Sequence, residues 1–151
     1  MIEEWMEKWH QQVRGEFPGG LDDLLADDVV FYSPIVFSPQ KGIDLTKMYL
    51  QAAGATFEAG SKVQGASASK SESKPESKSE SKFHYTKEVL SGNHAILEFE
   101  TEMGGKYING VDIITWNDEG RIIEFKVMIR PLRAVNLMHQ RMAAMLEKMK
   151  S

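Results

Sequence analysis

The sequence predicts one α+β domain that spans residues 1–151, with helices toward both ends and an antiparallel sheet between them. Two patterns favour this fold class. Apolar residues recur at helical spacing near both termini, and four β-branched and aromatic segments between residues 83 and 130 are separated by short turns rich in Gly and Asn. A chain of 151 residues also has the length of a single domain with one core.

The first part of the chain predicts three helices and one strand. Apolar residues form a single helical stripe over residues 2–16, and residues 21–25 predict a short second helix. Residues 29–33 are β-branched and aromatic, so they predict a strand, which ends at Pro34 because proline cannot donate to a sheet. A third helix is expected over residues 43–57.

Four antiparallel strands and a last helix are predicted after residue 82. Each strand leads into a turn that suits a hairpin, which favours a meander. The last helix is expected to begin at Pro131, because proline is well suited to the first helical turn. The four predicted strands are Phe83–Leu90, His94–Met103, Tyr107–Trp116 and Arg121–Arg130.

One segment differs in composition from the rest of the chain. Residues 67–82 contain four copies of a four-residue unit that ends in Ser-Lys and, in three copies, has Glu before the Ser. The segment has no large apolar side chain. Such a segment cannot bury enough apolar surface to offset the entropy of ordering. We therefore expect a flexible, low-complexity insertion at about residues 60–82 within the single domain.

Composition excludes several classes of protein and site. The chain has no cysteine, which excludes disulfide frameworks and thiol nucleophiles. Its net charge of −4 argues against nucleic-acid binding, and no apolar run is long enough for a transmembrane helix. The acidic N-terminus is unlike a signal peptide, so we expect a cytoplasmic protein. No metal is expected either, because the histidines lack the spacing of metal ligands; they are His10, His84, His94 and His139.

Alternation along the predicted strands assigns some of their faces. Leu97 and Phe99 share one face of their strand, whereas Glu98 and Glu100 share the other. Carboxylates in a row cannot be buried without partners, so the Leu97 face is expected to be the inner one. The next strand is ambiguous, because both of its faces are apolar. The pattern alone leaves open whether Asp112 points inward or outward.

Several stretches of the sequence resemble the nuclear transport factor 2-like superfamily, and within it the SnoaL-like and ketosteroid-isomerase-like proteins. They are LDDLLADD at 21–28, Ser33-Pro34 followed by Gly42, and GVDIITWNDEGRI at 110–122. The likeness covers nearly the whole chain except the insertion and the last helix. It implies a cone-shaped barrel, in which a curved antiparallel meander is wrapped by the N-terminal helices and the C-terminal helix is an addition.

The resemblance implies a chemical role for Asp112. In the isomerases of this superfamily the matching residue points into the pocket and is protonated, so that it donates a hydrogen bond to a developing oxyanion. Asp112 is therefore the candidate catalytic residue. Other positions depart from the isomerases: Ser33 replaces their aspartate base, and Trp9 stands at the position of their oxyanion tyrosine. Gly110 excludes the Arg–Asp triad of the epoxide hydrolases with this fold.

The expected function is to bind or transform a small apolar or aromatic organic molecule. If the protein is catalytic, the chemistry would be of the cofactor-free isomerase, cyclase or dehydratase type. The alternative is a non-catalytic dimeric module for binding or protein association. The residues expected to line the ligand pocket are Trp9, Phe31, Ser33, Tyr49, Leu97, Phe99, Thr101, Ile114, Trp116, Phe125, Val127 and Ile129.

The outer face of the sheet predicts a homodimer. Val111, Ile113 and Met128 are expected on this face among charged residues. A sheet that is apolar on both faces usually has a partner on the outer one. A second copy of the chain, related by a two-fold axis, is the expected partner.

Overall fold

The protein is an α+β domain in a computed structural model that describes residues 2–54 and 83–150. The helices are α1 (Ile2–Val13), α2 (Gly20–Leu24), α3 (residues 43–54) and α4 (Leu132–Lys150). The strands are β1 (Leu25–Tyr32), β2 (Gln40–Lys41), β3 (His84–Ser91), β4 (His94–Met103), β5 (Lys106–Trp116) and β6 (Ile122–Arg130). The predicted fold class, including the additional C-terminal helix, is confirmed.

The six strands form one sheet in the order β2-β1-β6-β5-β4-β3. Strands β3 to β6 make the predicted antiparallel meander. Strand β1 then pairs in parallel with β6, and the two-residue β2 pairs antiparallel with β1. Among the described strands β2 and β3 are therefore the edges of the sheet, and no closure between them is seen.

Two element boundaries near the N-terminus differ from the prediction. Helix α1 ends at Val13, three residues early, because Gly15 adopts a φ of 75°, a left-handed conformation that ends the helix. Strand β1 begins at Leu25, directly after α2, and Leu24 and Leu25 are both buried. The expected end of the third helix (residues 55–57) and the insertion at 60–82 lie outside the described residues.

The core lies between the inner face of the sheet and the helices, in two apolar clusters. The larger one is beneath α1, where Trp5 stacks on Trp116 with ring centroids 5.9 Å apart. The smaller one lies beneath α4 and is built around Phe99 and Met138. Val127 packs against both clusters, so the middle of the inner face is where they meet.

A turn between β5 and β6 ties the sheet to the N-terminal helices. The side-chain oxygen of Asn117 accepts hydrogen bonds from the backbone N–H groups of Glu119 (2.9 Å) and Arg121 (3.0 Å). The Arg121 guanidinium in turn donates to the carbonyls of Asp22 (3.0 Å) and Leu25 (3.2 Å). Arg121 thus satisfies one carbonyl group in α2 and one at the start of β1, where the helix ends.

Gly110 allows two large side chains to close over β5. A Cβ added at this position would collide with the Phe99 ring, with a methyl group of Ile129 and with the Met128 carbonyl oxygen, the last two at 2.8 Å. These three residues lie on the strands on either side of β5. Only glycine leaves room for this packing on the inner face.

We expect Gly110→Ala to destabilise the protein by about 2–4 kcal/mol, because neither a carbonyl nor a packed ring can move away from the added methyl group. Chemical denaturation of both proteins measures this difference. Gly54→Ala is the control, since a Cβ there meets nothing within 4 Å. Equal free energies of unfolding for Gly110→Ala and wild type would contradict this account of the packing.

Candidate functional site

Asp112 lies in the middle of the inner face of the sheet. Its strand partners are Leu97 on β4 and Val127 on β6, so it belongs to the row of side chains that faces the core. The residue is 6% exposed. This is the inward position that the family resemblance implies and that the alternation of β5 alone left open.

A chain of hydrogen bonds holds the Asp112 carboxyl. Oδ2 of Asp112 accepts a hydrogen bond of 2.8 Å from the Tyr85 hydroxyl. The same hydroxyl oxygen accepts a hydrogen bond of 3.1 Å from the indole Nε1 of Trp9. An indole N–H can only donate, and the Tyr85 hydroxyl donates in turn to Asp112, so the chain runs from Trp9 through Tyr85 to Asp112. In this arrangement Oδ2 is an acceptor, and a proton on the carboxyl resides on Oδ1.

Burial controls the protonation of this pair. Loss of solvation raises the pKa of Asp112 from its ordinary value of 3.8 to about 7, and the hydrogen bond from Tyr85 opposes part of this rise. Burial and the nearby Asp112 charge raise the pKa of Tyr85 well above 10, so its hydroxyl keeps its proton. Near neutral pH the site therefore holds a permanent hydroxyl donor beside a carboxyl present in both forms.

Tyr85 is the site residue that the sequence analysis missed. The family comparison places the hydroxyl on the first helix, where this chain has Trp9. Here the hydroxyl comes from β3 instead, and Trp9 supports it from the helix position. Tyr85 pairs with Phe99, an inner-face residue, and this cross-strand register puts it on the inner face of the meander.

The other residues predicted to line the pocket lie mostly in the two apolar clusters. Ser33 differs from them, because its hydroxyl oxygen accepts hydrogen bonds from the backbone N–H groups of Ile35 (2.9 Å) and Val36 (3.2 Å) and shapes the loop after β1. Thr101 is buried on β4. Phe99 and Ile129 belong to the cluster beneath α4, and the cluster beneath α1 contains Trp9, Phe31, Tyr49, Leu97, Ile114, Trp116, Phe125 and Val127.

A hollow of about 330 Å³ lies on the other side of the sheet from Asp112. Its lining includes the side chains of Ile96, Val111 and Met128, which alternate with the inner-face residues of their strands. The hollow is therefore a feature of the outer face. A ligand pocket centred on Asp112 stays a prediction.

Comparison with solved structures shows that this fold is a known one. No protein-family model matches the sequence, and no curated protein matches it either. Among solved structures, a steroid delta-isomerase from Pseudomonas aeruginosa superposes with a TM-score of 0.77 and 27% sequence identity, covering 97% of this chain and 92% of that one. A nuclear transport factor 2-like protein from Mesorhizobium loti has a TM-score of 0.61 and 16% identity, over 86% of this chain and 91% of that one.

A third structure is a protein of the SnoaL-like family from Agrobacterium tumefaciens. It has a TM-score of 0.55 and 13% identity, over 85% of this chain and 96% of that one. The chain has the nuclear transport factor 2-like fold. This confirms the resemblance found in the sequence.

Within this nuclear transport factor 2-like fold, residues 2–54 and 83–150 contain no helix that is both long and apolar enough to span a membrane. The same ranges contain no cluster of three acidic or histidine side chains suited to a metal ion.

The pKa of Asp112 links the stability of this nuclear transport factor 2-like domain to pH. The folded protein binds the Asp112 proton more tightly than the unfolded chain does, because the pKa rises from 3.8 to about 7 on folding. The stabilisation is fully present below pH 4 and is lost as the pH rises to 7. The full loss is on the order of 4 kcal/mol.

We therefore expect Asp112→Asn to gain stability relative to wild type between pH 4 and pH 8, because the amide is neutral throughout and still accepts the Tyr85 hydrogen bond. Urea denaturation across this range measures the difference in free energy of unfolding between the two proteins. The pH dependence that comes from the other carboxyl groups is the same in both and cancels in this difference. Parallel pH profiles for the two proteins would show that Asp112 titrates normally.

Proposed function

We propose that the inner face of this domain binds a small apolar organic molecule through an oxygen atom, which accepts a hydrogen bond from Oδ1 of the neutral Asp112 carboxyl. The observation that carries the proposal is the orientation of this buried carboxyl. One of its oxygens is committed to the Tyr85 hydroxyl, and the other is the place for an acidic proton. A carbonyl oxygen is the ligand group that best matches such a donor.

The chemistry of the site favours a carbonyl compound over a charged ligand. A donor in a poorly solvated setting stabilises negative charge that develops on an oxygen far better than water does. A carboxylate ligand would instead bring a negative charge into a poorly solvated setting, which costs solvation energy. Tyr85 bonds to the carboxyl, and the side chains of Trp9 and Phe99 contact Tyr85, so aromatic surface that suits an apolar ring system lies near the site.

The comparison with the steroid delta-isomerase supports an isomerase-type reaction on such a molecule, since the two chains share 27% identity over nearly their whole lengths. Cofactor-free proton transfer next to a carbonyl group, as in an isomerase, cyclase or dehydratase, is the reaction class that an oxyanion donor would assist. Ser33 offers no base for this reaction, because its hydroxyl cannot accept a carbon-bound proton unaided. A cytoplasmic location stays part of the proposal.

The bicyclic ketone 2-tetralone tests the proposed site, because it is apolar and uncharged between pH 5.5 and 8.5. We expect wild-type binding to weaken as the pH rises through about 7, since the carboxylate form cannot donate. Asp112→Asn keeps an N–H donor at every pH, so its affinity should not change with pH. Asp112→Leu should bind about tenfold more weakly at pH 5.5, the effect of one lost hydrogen bond.

Isothermal titration calorimetry or ligand-observed NMR measures these affinities. Asp27→Asn, which alters an exposed carboxylate, is the control and should behave as wild type. Equal affinity of wild type and Asp112→Leu, or no binding by wild type, would refute the proposed function.

A second proposed function, association of two copies through the outer face, is favoured by the apolar side chains exposed there. Ile96 is 44% exposed and Met128 is 49% exposed, and both line the hollow on that face. Exposed apolar residues grouped around a hollow are typical of an interface. The face suits a homodimer, because a two-fold axis would set each patch against its copy.

We expect Met128→Glu to weaken dimerisation at least about tenfold, because it would replace an apolar contact by a charge that loses its solvation in the interface. Sedimentation equilibrium measures the association constant. Leu132→Glu is the matched control, since Leu132 is exposed at the start of α4 and outside the sheet. A wild-type protein that is monomeric at high concentration would contradict this proposal.

A further inference from the structure

His10 and Glu88 form a second titratable pair beside the site. Nε2 of His10 lies 2.6 Å from Oε2 of Glu88, a contact that joins α1 to β3. The two side chains are 29% and 31% exposed, so protons can exchange with solvent there. This distinguishes the pair from Asp112, which is enclosed.

A β-bulge turns Glu88 toward the inner face. Tyr85 pairs with Phe99 and Lys87 pairs with Glu98, so Thr86 is an extra residue in β3. Without it, alternation from Tyr85 would direct Glu88 outward. With it, Glu88 pairs with Leu97, the residue that also pairs with Asp112.

Glu88 and Asp112 therefore stand in the same cross-strand row, separated by one strand. Two strand spacings put their Cα atoms about 10 Å apart. Tyr85 connects the two pairs, because its hydroxyl bonds to Asp112 and its ring lies 6.4 Å from the His10 ring, centroid to centroid. His10 also follows Trp9 directly on α1. The two acid–base pairs thus border the same part of the inner face.

We propose that His10, oriented by Glu88, is the proton-accepting group of this site and supplies the base that Ser33 cannot. This inference rests on the proposed function, since it requires a carbonyl compound held by Asp112. A neutral imidazole that donates its Nε2–H to Glu88 keeps its lone pair on Nδ1. A carboxylate in this position fixes the ring and stabilises the imidazolium that forms.

The reaction is a reversible proton transfer. Nδ1 of His10 takes a proton from the carbon next to the carbonyl group, and the electrons of that C–H bond form a C=C bond. The carbonyl π electrons move to the oxygen, where the Asp112 Oδ1–H stabilises the charge. Return of a proton from the imidazolium to the same or a conjugated carbon restores a ketone, so no co-reactant is consumed.

The exchange of the α-hydrogens of 2-tetralone for deuterium in D₂O tests this role by proton NMR. We expect the wild-type protein to accelerate exchange, and His10→Gln and Glu88→Gln to reduce the acceleration at least about 100-fold and tenfold, respectively. The affinity for 2-tetralone should stay within about twofold of wild type in both variants. Asp112→Leu, in contrast, should lose both the accelerated exchange and affinity for 2-tetralone.

Two further variants separate catalysis from a structural link between α1 and β3. His10→Lys keeps a hydrogen-bond donor for Glu88 but offers no neutral base near pH 7, so it should fold normally and lose exchange. Imidazole added to His10→Ala should restore part of the exchange. His94→Gln, at a histidine on the outer face, is the control and should exchange as wild type does.

The outcomes distinguish the two proposals. If wild type binds 2-tetralone through Asp112 but shows no accelerated exchange, or if His10→Lys exchanges as fast as wild type, the role of His10 is refuted and the binding function stands. If wild type does not bind 2-tetralone, both are refuted.

Discussion

The inner face of this domain depends on a single constraint: a carboxyl group placed in an apolar core must receive a hydrogen bond there. Tyr85 meets that need for Asp112, and Trp9 meets the matching need of the Tyr85 oxygen. The three groups come from β5, β3 and α1, so their hydrogen bonds hold helix α1 against the edge of the sheet formed by β3. The polar chain therefore ties α1 to the sheet and leaves Oδ1 as the Asp112 oxygen that does not take the Tyr85 hydrogen bond.

The same constraint explains why the interior has two polar pairs with different properties. Asp112 is enclosed, and its pKa rises because its charge has little solvation. The pair formed by His10 and Glu88 lies at the edge strand, where both side chains reach solvent. The two pairs therefore differ in their access to water.

Sequence patterns were sufficient for the fold and for part of the site. Strong period-two alternation around Leu97 and clear turn residues such as Asn117 and Gly120 fixed the meander to within a residue or two. Strand β2 escaped prediction because two residues carry no periodicity. The place of β1 beside β6 was missed too, since parallel pairing is a long-range contact without a local signal.

The candidate site shows where sequence reasoning ends. Asp112 was found through family resemblance, because alternation in β5 is nearly symmetric. Tyr85 and Glu88 were not found, since one depends on cross-strand register and the other on a single extra residue at Thr86. Register and bulges are set by tertiary packing, so a pattern read along one strand cannot supply them.

Strand β5 has a consequence for how the protein can change. Its even-numbered side chains, such as Asp112, belong to the interior, and its odd-numbered ones, such as Val111, belong to the outer face. Substitutions at one parity can alter the interior while the other parity keeps its surface. A one-residue insertion within the strand would exchange the two roles beyond that point unless a bulge absorbed it, as at Thr86 in β3, whereas a two-residue insertion would preserve them. The strand thus lets the two surfaces evolve separately by substitution, yet a single one-residue shift in register would disturb both.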